Sequence, residues 1–239
     1  MSAADAPRSP RDMKRDDLRQ LWNRESHEYV NRGSALADFP LPQEFLPRPG
    51  EKALDAGCGA GNYMGMYRQI TRTVFGLDFS DAMTKAAGRY GNTVQGDIQR
   101  IPFKGGAFEY VSSHVVINHV PDNRAALTEL ARVTKPGGRL VVVVPNRLSF
   151  LALLRTVMIR LGKYTLGPCR HYSVRSLRRE GSEHELSLVR ACTVHKVPTA
   201  PSLLRYIPSW LGYRMDQIAH CVYPLWGGDL AVLFQKMHR

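Results

Sequence analysis

Apolar and polar positions along the chain fall into three successive rhythms. From Asp12 to about Arg32, Leu18, Leu21, Trp22, His27 and Tyr29 recur at helical spacing, and Gly33 is placed to stop the helix. A proline-rich connector follows, Phe39-Pro-Leu-Pro and Leu46-Pro-Arg-Pro-Gly50. Short apolar runs then alternate with helical segments. Lys52 to Asp55 reads as a strand, and the turn Gly57 to Gly61 opens a helix through Arg68. Thr73 to Asp78 is the next strand, and Ser80 caps a helix to about Tyr90. Asn92 to Gln95 and Phe108 to Ser113 are further strands, with a helix from Pro121 to Val133. The tight turn Lys135-Pro-Gly-Gly138 leads into Arg139 to Pro145, whose valine run has no polar face and predicts a strand buried on both sides.

After Asn146 the rhythm changes again. An apolar helix (Leu148 to Leu161) and a second near Ser173 to Glu180 precede a strand around Ser187 to Val194. A Pro/Trp/Tyr-rich stretch over 196–227 reads as an insertion before a last strand, Asp229 to Gln235. Regular β-α alternation predicts a doubly wound α/β sheet with helices on both faces. Its seven strands belong to one domain over 13–239, after a disordered tail at 1–12 that lacks the apolar core of a signal peptide. Within it, 13–50 is an N-terminal lid and linker, and the alternating half runs over 51–146. The remaining half covers 147–239.

Composition acts mainly by exclusion. A hydrophobic fraction of 44% suits an enzyme with a buried core. Cys58, Cys169, Cys192 and Cys221 are far apart and suggest neither zinc nor a disulfide framework; they fit a reducing, cytoplasmic setting. No metal is expected, since the histidines and carboxylates show no ligand spacing. The longest apolar stretch, Leu148 to Leu161, is broken by Arg155 and Arg160 and is too short to span a bilayer. The net charge of +12 is uneven: +9 falls in Arg147 to Arg239 and +3 in everything before. Such a bias suits an anionic partner or an acidic substrate, and equally a solvated basic surface.

The strongest chemical signal is Leu54-Asp-Ala-Gly-Cys-Gly-Ala-Gly-Asn-Tyr63. A strand ending on an acid runs into three glycines at alternate positions, where backbone can approach a ligand closely. The dinucleotide fingerprint spaces its glycines differently, and Asp55 would repel a pyrophosphate while suiting a ligand with an ammonium group. Seventeen positions beyond Gly61, Asp78 ends the second strand, where a carboxylate can accept both hydroxyl protons of a ribose or simply cap the next helix. In Gly96-Asp97-Ile98, Asp97 is placed to accept from an adenine amine and Ile98 to pack on the ring; a plain turn is the other reading.

In this order and spacing the motifs resemble the class I S-adenosylmethionine-dependent methyltransferases, in the branch that includes quinone-biosynthesis C- and O-methyltransferases. The resemblance covers about 20–146 and continues in Ile101-Pro-Phe103, Asn118-His-Val-Pro-Asp122 and Leu130 to Leu140. It implies a Rossmann-like fold with 51–146 as the cofactor half and 147–239 as the substrate side. It also implies S-adenosyl-L-methionine held by Tyr29, Asp55, Gly57, Cys58, Gly59, Asp78, Phe79, Asp97, Ile98 and His114. The segment His114 to His119 would line the methyl-facing pocket, and the helix with Trp22 and Tyr29 would close over it. Two departures stand out: Glu109 replaces the usual Asp before the fourth strand, and Asn118 replaces an apolar residue and is placed to reach a substrate hydroxyl.

The expected activity is methylation of a small-molecule acceptor, at a hydroxyl of a quinone-like, lipid-linked, sugar or secondary-metabolite compound. His119 is the candidate catalytic base, because it follows the fourth strand and an imidazole titrates near neutral pH. The alternatives are an RNA methyltransferase, disfavoured by the absence of an Asn/Asp-Pro-Pro-aromatic motif, and a non-catalytic cofactor-binding protein. The basic, apolar stretch from Arg147 to Leu211 suits peripheral contact with an anionic membrane at its inner face, or a lid helix packed on the sheet edge.

Overall fold

The valine run marks the middle of the molecule. In the computed structural model, Leu140, Val142 and Val144 point into one apolar cluster, and Val141 and Val143 into another on the opposite face. The structure describes residues 14, 16–23, 41–149, 152, 169–194 and 228–238. Its seven strands are β1 (Lys52–Ala56), β2 (Thr73–Asp78), β3 (Asn92–Gln95), β4 (Phe108–His114), β5 (Thr134–Pro145), β6 (Leu186–Val194) and β7 (Asp229–Lys236). They lie in the order β3-β2-β1-β4-β5-β7-β6. The first five are parallel, and β7 runs antiparallel to β5 and β6.

Helices cover both faces, as a sheet with two apolar faces requires. On one, α1 (Asn62–Arg68) contributes Met64 and Tyr67, and α2 (Asp81–Ala87) contributes Ala87. On the other, α3 (Asn123–Val133) supplies Ala126, Leu127, Leu130, Ala131 and Val133, and α4 (Val174–Ser182) supplies Leu177. The caps follow local chemistry: Ser80 accepts from the Met83 N–H, Asp122 from Ala125, and Ser173 closes a capping box with Ser176.

One expected turn is built differently. Lys135 to Gly138 lie within β5, as a bulge between the Phe108–Thr134 and Tyr110–Arg139 pairs, opposite the single residue Glu109. Gly137, at φ +74°, allows the backbone to double back there without breaking the ladder. Residues 16–23 of the N-terminal helix are helical, with Leu18 buried. Most of the Leu148 to Leu161 helix and all of the 196–227 insertion lie outside the described residues.

The direction of β7 decides where the site's parts meet. An antiparallel strand begins where its parallel neighbours end, so Asp229 pairs with Pro145, the last residue of β5.

Candidate active site

A cavity opens at the C-terminal edge of the parallel strands, the usual position for ligands in such sheets. Its walls include Gly57, Cys58 and Gly59 after β1, Asp78 and Phe79 at β2, Asp97 and Ile98 after β3, and His114 at the end of β4. These eight expected residues are thus brought together. Tyr29 lies outside the described residues.

Asp55 sits one layer behind the wall. It is 1% exposed and accepts a hydrogen bond from the Ser112 hydroxyl at 3.2 Å, and its Oδ2 meets no hydrogen-bond partner among the described residues. Burial pushes its carboxyl up to about 7; the Ser112 bond opposes this, and the Asp78 charge adds to it.

The glycine turn follows from steric need. Gly57, at φ +85°, lies against Val116, so a Cβ there would collide with that side chain. Gly59, at φ +52°, faces open space in the cavity wall. Asp78 braces the turn: Oδ2 accepts from the Gly59 N–H at 2.8 Å, and Oδ1 from the Ser80 N–H at 2.9 Å. Burial raises its carboxyl above the usual range, against the lowering effect of its bonds from Ser80, Gly59 and Phe79. Asp97 accepts from the backbone and side chain of Gln99, at 2.9 and 3.1 Å. Burial, with Asp55 and Asp78 nearby, holds the Cys58 thiol protonated, so Cys58 serves as packing rather than as a nucleophile.

His114 belongs to an aromatic stack. Tyr63 lies flat on it, with centroids 3.6 Å apart and planes 9° from parallel, and the Tyr67 hydroxyl is 2.8 Å from its Nε2. Tyr110 donates to the Phe45 carbonyl at 2.7 Å and lies 3.2 Å from the Tyr67 hydroxyl, extending the chain of polar groups beneath the cavity.

His119 also lines the cavity. It is 6% exposed, with the Trp22 ring edge-on at 5.3 Å. The loop that carries it is tied down from outside. The Arg170 guanidinium donates to the Val120 and Pro121 carbonyls at 2.8 and 2.7 Å, and its N–H to the Asn118 carbonyl at 2.9 Å. Asn118 does not reach the cavity as the sequence suggested. It is fully buried, and its Nδ2 donates to the Cys169 sulfur at 3.2 Å, because the returning 169–172 segment covers that side of the loop.

Sequence reasoning missed Tyr63 and Asp229, whereas Val115 lies within the His114 to His119 segment expected to line the pocket. Tyr63 follows the glycine turn directly, a signal within reach of the motif. Val115 adopts φ +57°, rare for a β-branched residue, which no local pattern announces. Asp229 enters only because β7 is antiparallel.

Residues 54–142 match the family described as Methyltransferase domain. The demethylmenaquinone methyltransferase of Staphylococcus aureus (strain JH9) is 34% identical over 137 residues, 54% of this chain and 54% of that protein. The malonyl-[acyl-carrier protein] O-methyltransferase of Serratia marcescens is 40% identical over 96 residues, 38% of this chain and 36% of that protein. The chain thus spans about half the length, or less, of these curated relatives. The geranyl diphosphate C-methyltransferase of Streptomyces coelicolor, solved with Mg2+, geranyl diphosphate and S-adenosyl-L-homocysteine, shares the fold: its TM-score is 0.61 at 18% identity, over 93% of this chain and 97% of that one. Residues Leu54 to Val142, which run from β1 through most of β5 and carry the glycine turn and the strand-end carboxylates of the cavity, thus match the methyltransferase-domain family.

Proposed function

We propose that the chain is an S-adenosylmethionine-dependent methyltransferase that methylates a hydroxyl of a small quinone-like, lipid-linked, sugar or secondary-metabolite acceptor. The observation that carries this reading is the convergence of the Gly57–Gly59 turn, Asp78 and Asp97-Ile98 on one cavity. The residues fit the cofactor: Gly59 leaves open space beside its α-carbon, and Asp78 and Asp97 present carboxylates to the same cavity. When bound, the cofactor supplies a methyl group on a sulfonium, which needs no metal activation.

In this reading Asp78 holds the ribose hydroxyls, Asp97 accepts from the adenine amine and Ile98 packs on the ring. Asp55 places a carboxyl under the turn, where its ionised form attracts the ammonium through the wall. His119 would take the acceptor's proton, while the cofactor, held by Asp78, Asp97 and Ile98, would supply the methyl group. Trp22 packs on His119 and excludes water from the imidazole. Positioning supplies much of the acceleration in such in-line displacements. The demethylmenaquinone relative supports a quinone-like acceptor.

The test is calorimetry with S-adenosylhomocysteine and with NAD, followed by an acceptor screen that monitors S-adenosylhomocysteine release. Binding of NAD in place of S-adenosylhomocysteine would overturn the reading.

A further inference from the structure

We propose that Arg170 is a positioning residue for the cofactor pocket: its guanidinium holds the loop from Val115 to Asp122 in the shape that both ends of the cavity require. The inference rests on the reading above, that this cavity takes S-adenosylmethionine.

The loop leaves β4 and runs along the cavity to the start of α3. Val115, Val116, His119, Val120 and Pro121 all line the wall. At one end the Val115 N–H donates to the Val143 carbonyl at 2.7 Å, and Val116 packs against Gly57 of the glycine turn. At the other, the Asp122 N–H donates to the Gln99 side-chain oxygen at 2.9 Å, and Gln99 in turn donates to Asp97 from its backbone and its side chain. One loop therefore touches the turn after β1 and, through Gln99, the carboxylate read as holding the adenine.

Between those ends the loop is outside the sheet ladder, so its carbonyls need donors from elsewhere. The segment from Cys169 to Tyr172 provides them. The Tyr172 hydroxyl donates to the Ile117 carbonyl at 3.4 Å, and the Arg170 N–H to the Asn118 carbonyl at 2.9 Å. The Arg170 guanidinium donates to the Val120 and Pro121 carbonyls at 2.8 and 2.7 Å. A planar guanidinium aims two N–H groups in fixed directions, which suits two successive carbonyls better than a flexible ammonium does.

The support for that fork is rigid. Tyr172 is 4% exposed; its N–H donates to the Pro145 carbonyl at 2.9 Å, and its carbonyl accepts from the Arg147 N–H at 2.7 Å. Ser173 then caps α4. Arg170 is thus mounted between the end of β5 and a capped helix, and it transmits that rigidity to the loop. Its removal leaves the ties of Val115 and Asp122 in place, so the middle of the loop loses order while the sheet stays intact.

Calorimetry with S-adenosylhomocysteine on wild type, R170A and R170K, with hydrogen–deuterium exchange of the same proteins, separates this role from a merely structural one. In R170A, exchange should rise over residues 115–122. S-adenosylhomocysteine should bind about tenfold more weakly, as it does when only about one molecule in ten holds the competent loop. Exchange in β1, β4 and β5 should stay as in wild type. R170K keeps the charge but loses the fork; it should bind a few-fold more weakly than wild type, and it carries the comparison if R170A does not fold. Wild-type affinity in R170A, or in R170K where R170A does not fold, would overturn the role of Arg170. So would faster exchange throughout the sheet, which marks lost stability rather than lost loop order. Failure of wild type to bind S-adenosylhomocysteine would instead overturn the cofactor reading on which the role rests.

Discussion

The carboxylate of Asp78 accepts the Gly59 N–H at 2.8 Å, so the end of β2 and the glycine turn after β1 are held by one side chain. The same carboxylate receives the Ser80 N–H, and Ser80 itself caps α2. Asp78 thus has a structural duty beside its proposed contact with the ribose. D78A should weaken S-adenosylhomocysteine binding by roughly 1–3 kcal/mol, the range for losing a hydrogen bond to a charged group. Calorimetry measures it, and an unchanged affinity would leave Asp78 with the turn and the helix alone.

Asp55 makes stability depend on pH. Its carboxyl titrates at about 7 in the fold, whereas an unfolded aspartate does so near pH 4. The native state therefore holds a proton that the unfolded chain releases. The stabilising contribution is complete below about pH 4 and is lost as pH rises through about 7. Relative to D55N, wild type should lose about 2–3 kcal/mol between pH 5 and pH 8 in urea unfolding. A constant difference between the two proteins would show that burial does not shift this group.

Removing the imidazole of His119 tests its assignment as the base. H119A should lower turnover on the identified acceptor by about 10²–10⁴-fold while S-adenosylhomocysteine affinity holds. A loss of only a few-fold would leave His119 as a packing residue against Trp22.

Arg139 is a buried cation of the described core. It pairs with Glu51 at 2.6 Å and donates to the Glu44 and Leu46 carbonyls at 2.9 and 3.0 Å, with its side chain 9% exposed. It thereby fastens the connector before β1 to β5. R139A should destabilise the protein by roughly 3–5 kcal/mol, because it leaves the Glu51 charge and two carbonyls short of a buried partner. Denaturant midpoints measure this, and a change below about 1 kcal/mol would mean that water replaces the guanidinium.

Arg147 and Leu148 are both exposed where the chain leaves β5, with Leu148 58% accessible. They begin the basic, apolar stretch that runs to Leu211. Flotation with vesicles containing acidic lipid should carry part of the protein upward at low salt and release it at high salt. Protein left wholly in the aqueous fraction at low salt would remove the membrane proposal.

Local signals made the strands and glycine turn legible, because alternation, caps and φ-permissive residues act within a few positions. Thr73 to Asp78 and Asn92 to Gln95 match β2 and β3 at both ends, and Ser80 caps α2 as expected. Asn118 was misread because its surroundings come from Cys169 and Arg170, some fifty residues away. Its neighbours in sequence say nothing about that cover.

By itself the sequence determined the alternation of elements, the double burial of the valine strand and the carboxylates at successive strand ends. Each of these is written in residue type and short spacing. Only the tertiary structure decided that Asp55 sits behind the cavity wall, that Tyr63 stacks on His114, and that Asp229 joins the site. The physical reason is pairing direction. Hydrogen bonding fixes β7 antiparallel between β5 and β6, and that reversal brings a residue from the far end of the chain to the edge where the parallel strands end.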